Sequence, residues 1–263
     1  MTTIIAVANQ KGGVAKTTTT VSLAGALVQR GLDVLVVDLD PQANLTLALG
    51  MNPGKLRASI ADVLLNSASL QSVSRETTIP GLDLVPSTAE MELAERFLSI
   101  RHNYESILAQ ALNGRLGKSS VYDFVILDCP PSMGVVTVNA LNATDLLIIP
   151  TQPEYFSAHA LKAMMATIRR LRSEHNPRLI YRILITLHDR RNRIHRNLNE
   201  QIRATFGEGL FETVIDIDTK LRESAVAGIP ITHYKPNTRS ALQYTALAEE
   251  LIQHVQEKIA KPA

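Results

Sequence analysis

A glycine-containing loop between an apolar strand and a helix constrains this chain more than any other feature. Residues 4–7 form an apolar run, residues 8–18 (ANQKGGVAKTT) follow it, and residues 21–28 favour a helix. A strand, a glycine turn and a helix in this order direct backbone N–H groups and a helix N-terminus towards an anion. The stretch therefore predicts a phosphate-binding loop.

Two side chains of this loop are suited to bind the phosphates and the Mg²⁺ ion of a nucleoside triphosphate. Lys16 is predicted to contact the β and γ phosphates, and the Thr17 hydroxyl to bind Mg²⁺, which takes its other ligands from phosphates and water. The loop departs from G-x-x-x-x-G-K-[ST] at both glycines, where Gln10 and Ala15 stand. If the φ angle of Ala15 is positive, its methyl group costs on the order of 1 kcal/mol.

A second lysine, Lys11, makes the loop more specific. Lys11, the two glycines after it and Lys16-Thr17 together resemble the deviant Walker A motif of the ParA/MinD family of ATPases. In that family the early lysine reaches across a dimer interface to the partner's nucleotide, so the resemblance implies this role for Lys11. The resemblance implies a nucleotide-binding set of Lys11, Gly12, Gly13, Val14, Ala15, Lys16, Thr17 and Thr18, with Thr186 on a later strand as an adenine contact.

Two acids follow the next apolar strand, predicted at residues 33–37. The sequence continues as Asp38-Leu39-Asp40-Pro41-Gln42, at the strand end where open parallel sheets bind ligands. In ParA-like proteins the first acid of this stretch contacts the attacking water and the magnesium shell, and Asp38 matches it. The alternative, that an acid here is only a solvated turn residue, applies to both and more to Asp40 than to Asp38.

Residues 121–131 (VYDFVILDCPP) are the second strong signal. An apolar strand that ends in an acid and two prolines is a Walker B arrangement, in which the carboxylate orders Mg²⁺ water and the prolines direct the chain out of the sheet. Cys129 is interpreted as a packed thiol. The expected catalytic residues are thus Lys11, Lys16, Asp38 and Asp128. The expected metal-binding residues are Thr17, Asp38 and Asp128.

The rest of the chain alternates short apolar strands with helices. Strands are predicted at 82–85, 145–150, 179–186 and 210–217, and helices at 60–65, 135–143, 156–173 and 239–259. Ser59 is a predicted N-cap, and residues 87–90 are a predicted capping box that opens one long helix to Leu112. These elements predict an α/β, doubly wound, mainly parallel sheet in one P-loop ATPase domain over 1–263.

Composition excludes several classes of protein. The single cysteine argues against a disulfide framework, a cysteine-rich metal site and a nitrogenase-type reductase, which needs two cysteines per subunit. No run of eighteen apolar residues and no N-terminal signal sequence occur, so we expect a cytoplasmic protein.

Basic residues are concentrated in one part of the sequence. Residues 162–203 hold eleven Lys and Arg against three acids, although the whole chain has a net charge of +2. The segment 188–196 (HDRRNRIHR) is densest, and its scarcity of aromatic residues favours duplex backbone contacts over base stacking. Relatives have a basic residue after the strand at 210–217, where this chain has Asp216 or Asp218. The expected DNA-binding residues are Arg169, Arg172, Arg190, Arg191, Arg193, Arg196, Lys220 and Arg222.

The resemblance also implies a working cycle. ParA proteins, including the Soj-like partition branch and the McdA-type proteins that position carboxysomes, form ATP-dependent homodimers and bind nonspecific duplex DNA. A ParB-like or McdB-like adaptor protein stimulates hydrolysis, and the cycle distributes a plasmid, chromosome or carboxysome along the nucleoid. For this chain the resemblance implies ATP and Mg²⁺ as cofactors and a cytoplasmic, nucleoid-associated location.

Two alternatives stay open. A MinD-like, membrane-associated division regulator would need an amphipathic tail, whereas residues 253–261 have little apolar face and mixed charge, so stable membrane association is not expected. A site-specific repressor is also not expected, because the phosphate loop begins so near Met1. The other alternative is a scaffold that binds nucleotide without turnover, which Ala15 suggests.

Overall fold

The computed structural model describes residues 2–115, 121–155 and 157–260, and in this part of the chain eight strands alternate with helices. The strands are β1 (Thr3–Val7), β2 (Val34–Asp38), β3 (Arg75–Glu76), β4 (Leu82–Val85), β5 (Phe124–Asp128), β6 (Leu146–Thr151), β7 (Ile180–His188) and β8 (Leu210–Asp216). They form one sheet in the order β3-β4-β2-β5-β1-β6-β7-β8.

Only the short β3 runs antiparallel to its neighbour, and all other pairs are parallel. The chain starts near the centre of the sheet at β1, builds one side through β2 to β5, and then the other through β6 to β8. The predicted doubly wound, mainly parallel α/β fold is confirmed. The carboxyl ends of β1, β2, β5 and β6 meet at one edge, where such folds bind ligands.

The helices connect the strands. Their bounds are α1 (Lys16–Val28), α2 (Asn44–Ala48), α3 (Ile60–Asn66), α4 (Leu70–Val73), α5 (Met91–Phe97), α6 (Ile107–Arg115), α7 (Val135–Asn142), α8 (Ser157–Glu174), α9 (Arg193–Phe206), α10 (Lys220–Ala227), α11 (Ile231–Tyr234) and α12 (Arg239–Ala260). None of the helices in the described ranges has both the length and the apolar character that a membrane crossing requires.

The sheet is buried on both faces. On β2, Val34 and Val36 pack with α1 and α12, whereas Leu35 and Val37 pack with α3, α5 and α6 on the opposite face. Side chains alternate between the two faces of a strand, so a strand covered on both sides needs an unbroken apolar run. This requirement explains why the central strands were recognisable in the sequence.

The prediction of one continuous helix from residue 87 to Leu112 is wrong. The Ser87 hydroxyl donates to the Asp40 carbonyl at 2.7 Å, so it does not cap a helix. α5 ends at Phe97, and Asn103, in the left-handed region with φ 54°, separates it from α6. The apolar residues on both pieces still pack in one core.

Other boundaries differ less from the prediction. Ser59 caps α3 as expected, and its own N–H donates to Asp62 at 2.9 Å, which completes a capping box. α1 begins at Lys16, five residues before the predicted start, because the phosphate loop leads straight into the helix. The predicted first residue of α8, Phe156, and the end of the tail at Lys261 lie outside the described residues.

Candidate nucleotide site and basic surface

The loop between β1 and α1 has the strained backbone that the sequence predicted. Ala15 has φ 65° and ψ 35° and immediately precedes α1, and Gly13 also has a positive φ of 74°. Glycine adopts this region without a steric cost, whereas alanine does not. The chain therefore retains a phosphate-loop backbone at Ala15 against the preference of its side chain.

Contacts from neighbouring strands hold this loop in place. The Asn9 side chain donates to the Pro150 carbonyl at 2.7 Å and accepts from the Lys11 N–H at 3.0 Å. The Thr186 hydroxyl donates to the Val14 carbonyl at 3.0 Å, and Thr186 is fully buried. Thr186 thus holds the loop at Val14, and its predicted contact with adenine stays a prediction.

Lys16 lies inside the loop. Its ammonium donates to the Lys11 carbonyl at 3.2 Å, and the residue is 9% exposed. Burial lowers the pKa of Lys16, while the charges of Asp128 and Asp40 act in the opposite direction. A buried cation at the N-terminus of a helix is an environment that favours a phosphate group.

Asp128 ends β5 directly beside α1. Its carboxylate accepts from the Thr17 hydroxyl at 2.7 Å and from the Thr20 hydroxyl at 3.1 Å. Burial, and next the charge of Asp38, raise the pKa of Asp128 to about 8. Burial likewise raises the pKa of the neighbouring Cys129 thiol, in agreement with a packed, unreactive cysteine.

Asp38 pairs in register with Asp128, and both side chains lie on the α1 side of the sheet. Asp38 is fully buried and accepts from the Thr46 N–H at 2.9 Å, the Thr46 hydroxyl at 2.7 Å and the Asp40 N–H at 3.1 Å. Burial raises its pKa to about 6 against these hydrogen bonds. Here Asp38 fixes the loop after β2, and its predicted contact with an attacking water stays a prediction.

A cleft of about 570 Å³ opens beside the phosphate loop. Gly12, Gly13, Ala15, Lys16, Thr17 and Thr18 line it from the loop. Asp40 and Gln42 line it from the β2–α2 connection, Asn44 and Leu47 from α2, and Pro131 from the chain after β5. Leu221, Ser224, Ala225 and Val226 of α10 form its far wall.

Sequence reasoning missed two acids, one in the cleft and one behind the chain that follows β5. Asp40, which was given no role from the sequence, lines the cleft and is 9% exposed. Glu95 on α5 accepts from the N–H groups of Val135 and Val136, both at 3.1 Å, and so fixes the chain that follows Asp128. Nothing in the local sequence marks Glu95, because its partners are forty residues away.

The acids and hydroxyls at this edge fit Mg²⁺. Asp128, Asp40 and Thr17 offer only oxygen donors, the type that Mg²⁺ binds. In the described ranges no three His, Cys, Asp or Glu side chains form a metal-binding group. Mg²⁺ takes most of its ligands from phosphates and water. Burial raises the pKa of Asp128, and the positive charge of a bound cation would lower it.

Lys11 has a different environment from Lys16. Its ammonium pairs with the Glu154 carboxylate from the loop after β6, and both side chains are partly exposed. Lys11 therefore lies on the outside of the loop, where a second molecule can reach it. Nothing in the sequence near Lys11 indicates Glu154 as its partner, because the two residues are far apart along the chain.

The basic segment after β7 lies at the same edge of the sheet. Arg190, Arg191, Arg193 and Arg196 are all exposed, and the Arg196 guanidinium donates to the Arg190 carbonyl at 2.6 Å. Lys220 and Arg222 follow β8 at this edge, and Lys220 pairs with Glu223 at 2.6 Å. We call the exposed face formed by these six residues the basic surface.

Arg169 and Arg172 do not join the basic surface. The Arg172 Nε donates to the Leu179 carbonyl at 2.7 Å, just before β7, and its guanidinium lies 5.8 Å from the Tyr181 ring centroid. Arg190 follows the other end of this nine-residue strand, a separation of roughly 30 Å at about 3.3 Å per residue. Arg169 and Arg172 therefore lie apart from the other predicted DNA-binding residues, because α8 runs back to the opposite edge, and their contact with DNA stays a prediction.

Known proteins resemble this chain over nearly its full length. The family AAA_31, described as an AAA domain, matches residues 2–181. The chromosome partitioning protein ParA of Caulobacter vibrioides (strain NA1000 / CB15N) is 36% identical over 99% of this chain and 97% of its own length. The sporulation initiation inhibitor protein Soj of Bacillus subtilis is 36% identical over 94% of this chain and 97% of its own.

A solved structure also matches closely. Cobyrinic acid a,c-diamide synthase from Mycobacterium smegmatis, with bound ATP analog and magnesium, is 35% identical and has a TM-score of 0.81 over 97% of this chain and 96% of that one. The fold, the loop geometry and these matches agree. The chain belongs to this AAA domain family and is a member of the ParA/MinD group of deviant Walker A ATPases.

Proposed function

We propose that this protein is a ParA-type ATPase that binds ATP and Mg²⁺, dimerises around the nucleotide and binds nonspecific duplex DNA in that state. The observation that carries the proposal is the separation of two lysines in one loop. Lys16 is enclosed by the loop, whereas Lys11 is outside it and pairs with Glu154. One triphosphate needs only the enclosed lysine, so the outer one is available to a partner's nucleotide.

Different residues of the cleft bind the nucleotide and promote its hydrolysis. The loop amides and the Lys16 ammonium hold the phosphates, and Thr17, with Asp128 behind it, would hold Mg²⁺. Bound Mg²⁺ neutralises charge on the phosphates during transfer. Asp38 orients an attacking water once the Thr46 contacts are released, and Lys11 adds positive charge from the other subunit.

The same sheet edge supports a link between nucleotide and DNA. α10 forms the far wall of the cleft through Leu221 and Ser224, and it also contributes Lys220 and Arg222 to the basic surface. A change in the cleft that moves α10 therefore moves part of the basic surface. Arginine suits bidentate phosphate contacts, and these carry no sequence information.

The relatives support a role in partition. The Caulobacter protein is named a chromosome partitioning protein, and we propose the same class of function here, with an adaptor protein that stimulates hydrolysis and a plasmid, chromosome or carboxysome as cargo on the nucleoid. The Mycobacterium structure has the name of a synthase. A partition function is preferred because the basic surface lies beside the nucleotide cleft, where a small-molecule synthase has no use for it.

Binding to nonspecific duplex DNA tests the proposal. The protein is mixed with a duplex of arbitrary sequence in the presence of ATP, ADP or no nucleotide, at several salt concentrations, and anionic lipid vesicles serve as the comparison surface. We expect binding to DNA with ATP, weak binding otherwise, and a steep loss with salt because released counterions drive phosphate contacts.

Two results would count against the proposal. DNA binding that is absent in all three nucleotide states removes the nucleoid function. ATP-dependent binding to vesicles in place of DNA favours the MinD-like alternative.

A further inference from the structure

Asp216, at the end of β8, is a buried centre of charge. The residue is 2% exposed, and its carboxylate lies 2.8 Å from Nε of Arg190 and 3.6 Å from Nε of Arg239, both measured to Oδ2. Arg190 comes from the loop after β7, and Arg239 is the first residue of α12. One acid therefore holds arginines from two segments that are far apart in sequence.

Further contacts fix the orientation of this carboxylate. Gln243 on α12 donates to Oδ2 at 2.7 Å and accepts from the Asp216 N–H at 3.1 Å. The His188 Nδ1 lies 3.2 Å from the other oxygen, Oδ1. Oδ2 thus faces the arginines, and the buried carboxylate has little freedom to turn away from them.

The arginines remain accessible although their anchor is buried. The side chain of Arg190 is 65% exposed and that of Arg239 is 51% exposed, and Arg239 also donates from Nη2 to the Ile217 carbonyl at 2.7 Å. Two guanidinium groups against one carboxylate leave a net positive charge at this point. The Nε atoms of Arg190 and Arg239 both lie near Oδ2 of Asp216, at 2.8 and 3.6 Å, so the two guanidinium groups are close to each other.

We propose that Arg190 and Arg239 form one clamp for a backbone phosphate of duplex DNA, with Asp216 as the positioning residue. This inference rests on the proposed DNA binding and adds Arg239, which the sequence did not mark. Side chains that are already ordered lose less entropy when they bind, so an anchored pair contacts phosphate more favourably than two mobile arginines. Asp216 therefore supports the proposed DNA contact by holding Arg190 from the loop after β7 next to Arg239 from α12.

The test measures DNA affinity against salt for the ATP-bound protein. R190Q and R239Q should each weaken binding severalfold and lower the slope of log K against log salt by about 0.9, the value for one phosphate contact. R170Q is the matched control, because Arg170 is similarly exposed, pairs with Glu174, and lies on α8 outside the basic surface. It should leave affinity and slope unchanged.

A double-variant cycle tests the shared anchor. If both arginines contact one phosphate, the R190Q/R239Q double variant should lose less affinity than the product of the two single losses, and the difference measures the coupling between the two arginines. D216N preserves the shape of the side chain and should abolish this coupling. Nucleotide binding and the melting temperature verify that each variant is folded. If D216N fails to fold, the cycle with Asp216 intact decides the matter.

The possible failures are distinguishable. Wild-type protein that binds DNA while R239Q matches it in affinity and slope overturns the clamp and leaves the proposed function in place. Independent single losses that multiply overturn the shared anchor. Wild-type protein that binds no DNA in any nucleotide state removes the proposed function, and the clamp with it.

Discussion

The two functional regions at the carboxyl edge of the sheet are built in opposite ways. Around Asp38 and Asp128 the charged groups are buried, and their hydrogen bonds come from residues close to the strand ends. Around Arg190 the charged groups are exposed, and only their anchor, Asp216, is buried. In the proposed function, the first region binds its ligand inside the protein, and the second meets DNA at the surface.

This difference decides which forces act in each region. Burial raises the pKa of Asp38 and Asp128 because few water molecules solvate their charges. Salt screens the exposed arginines, and their isolated ion pairs contribute little to stability. We therefore expect the nucleotide site to respond to pH and to loss of single groups, and the basic surface to respond to salt and to total charge.

The largest expected effect is on hydrolysis. Lys16→Ala removes the enclosed cation while the loop amides remain, and we expect phosphate release to fall about 100- to 1,000-fold, as for loss of a preorganised electrostatic contact. Nucleotide-free DNA binding should not change. Lys55→Ala is the control, because Lys55 is exposed and lies outside the cleft. Normal turnover in the Lys16 variant would contradict the assigned site.

The next largest effect is on DNA binding. Replacing Arg190, Arg191 and Arg193 by Glu reverses three charges, so DNA affinity should fall by at least about 100-fold at moderate salt. ATP binding should persist. The matched control replaces Arg169, Arg170 and Arg178 by Glu, the same charge change at the opposite edge of the sheet. Equal losses in both triple variants would contradict the placement of the basic surface.

A smaller effect is expected on stability. The folded-state pKa values of Asp38 and Asp128 are raised to about 6 and about 8, above the value of about 3.9 for an unfolded Asp. The folded protein therefore holds extra protons between about pH 4 and 8, and its stability falls as pH rises through this window.

Thermal unfolding of the nucleotide-free protein checks this pH dependence. We expect the melting temperature to drop by several degrees from pH 5 to pH 8, and Asp128→Asn to reduce that drop because the substituted group does not titrate. Mg²⁺ with an ATP analogue should also reduce it, since positive charge lowers the pKa of neighbouring acids. A flat profile in the wild type would show that these acids do not govern stability.

The smallest effect is expected at Glu154. Its ion pair with Lys11 is partly exposed, so Glu154→Gln should change the free energy of unfolding by less than about 1 kcal/mol. It should free Lys11 and raise ATP-dependent dimer formation a fewfold, measured by sedimentation. Glu174→Gln, which breaks an exposed pair with Arg170, is the control. Reduced dimer formation in the Glu154 variant would mean that Glu154 assists the dimer.

Much of the nucleotide site followed from the sequence alone. The loop at 8–18 and the acids that end two apolar strands, Asp38 and Asp128, are local patterns, and the fold brings them to one edge because parallel strands align their carboxyl ends. The positive φ of Ala15 was likewise a local consequence of the loop. Each of these patterns lies within a dozen consecutive residues, so a sequence displays it directly.

Tertiary structure alone decided the other contacts. Thr186 under the loop, Glu95 at the start of α7, Glu154 on Lys11 and Arg239 beside Arg190 each join residues that are distant in sequence. The same holds for the break between α5 and α6, where the Ser87 hydroxyl binds the Asp40 carbonyl and not the helix. Strand order and helix direction set these distances, and neither is encoded in any short stretch. The sequence therefore determined the chemistry of the nucleotide loop, and packing determined which partners hold each group in place.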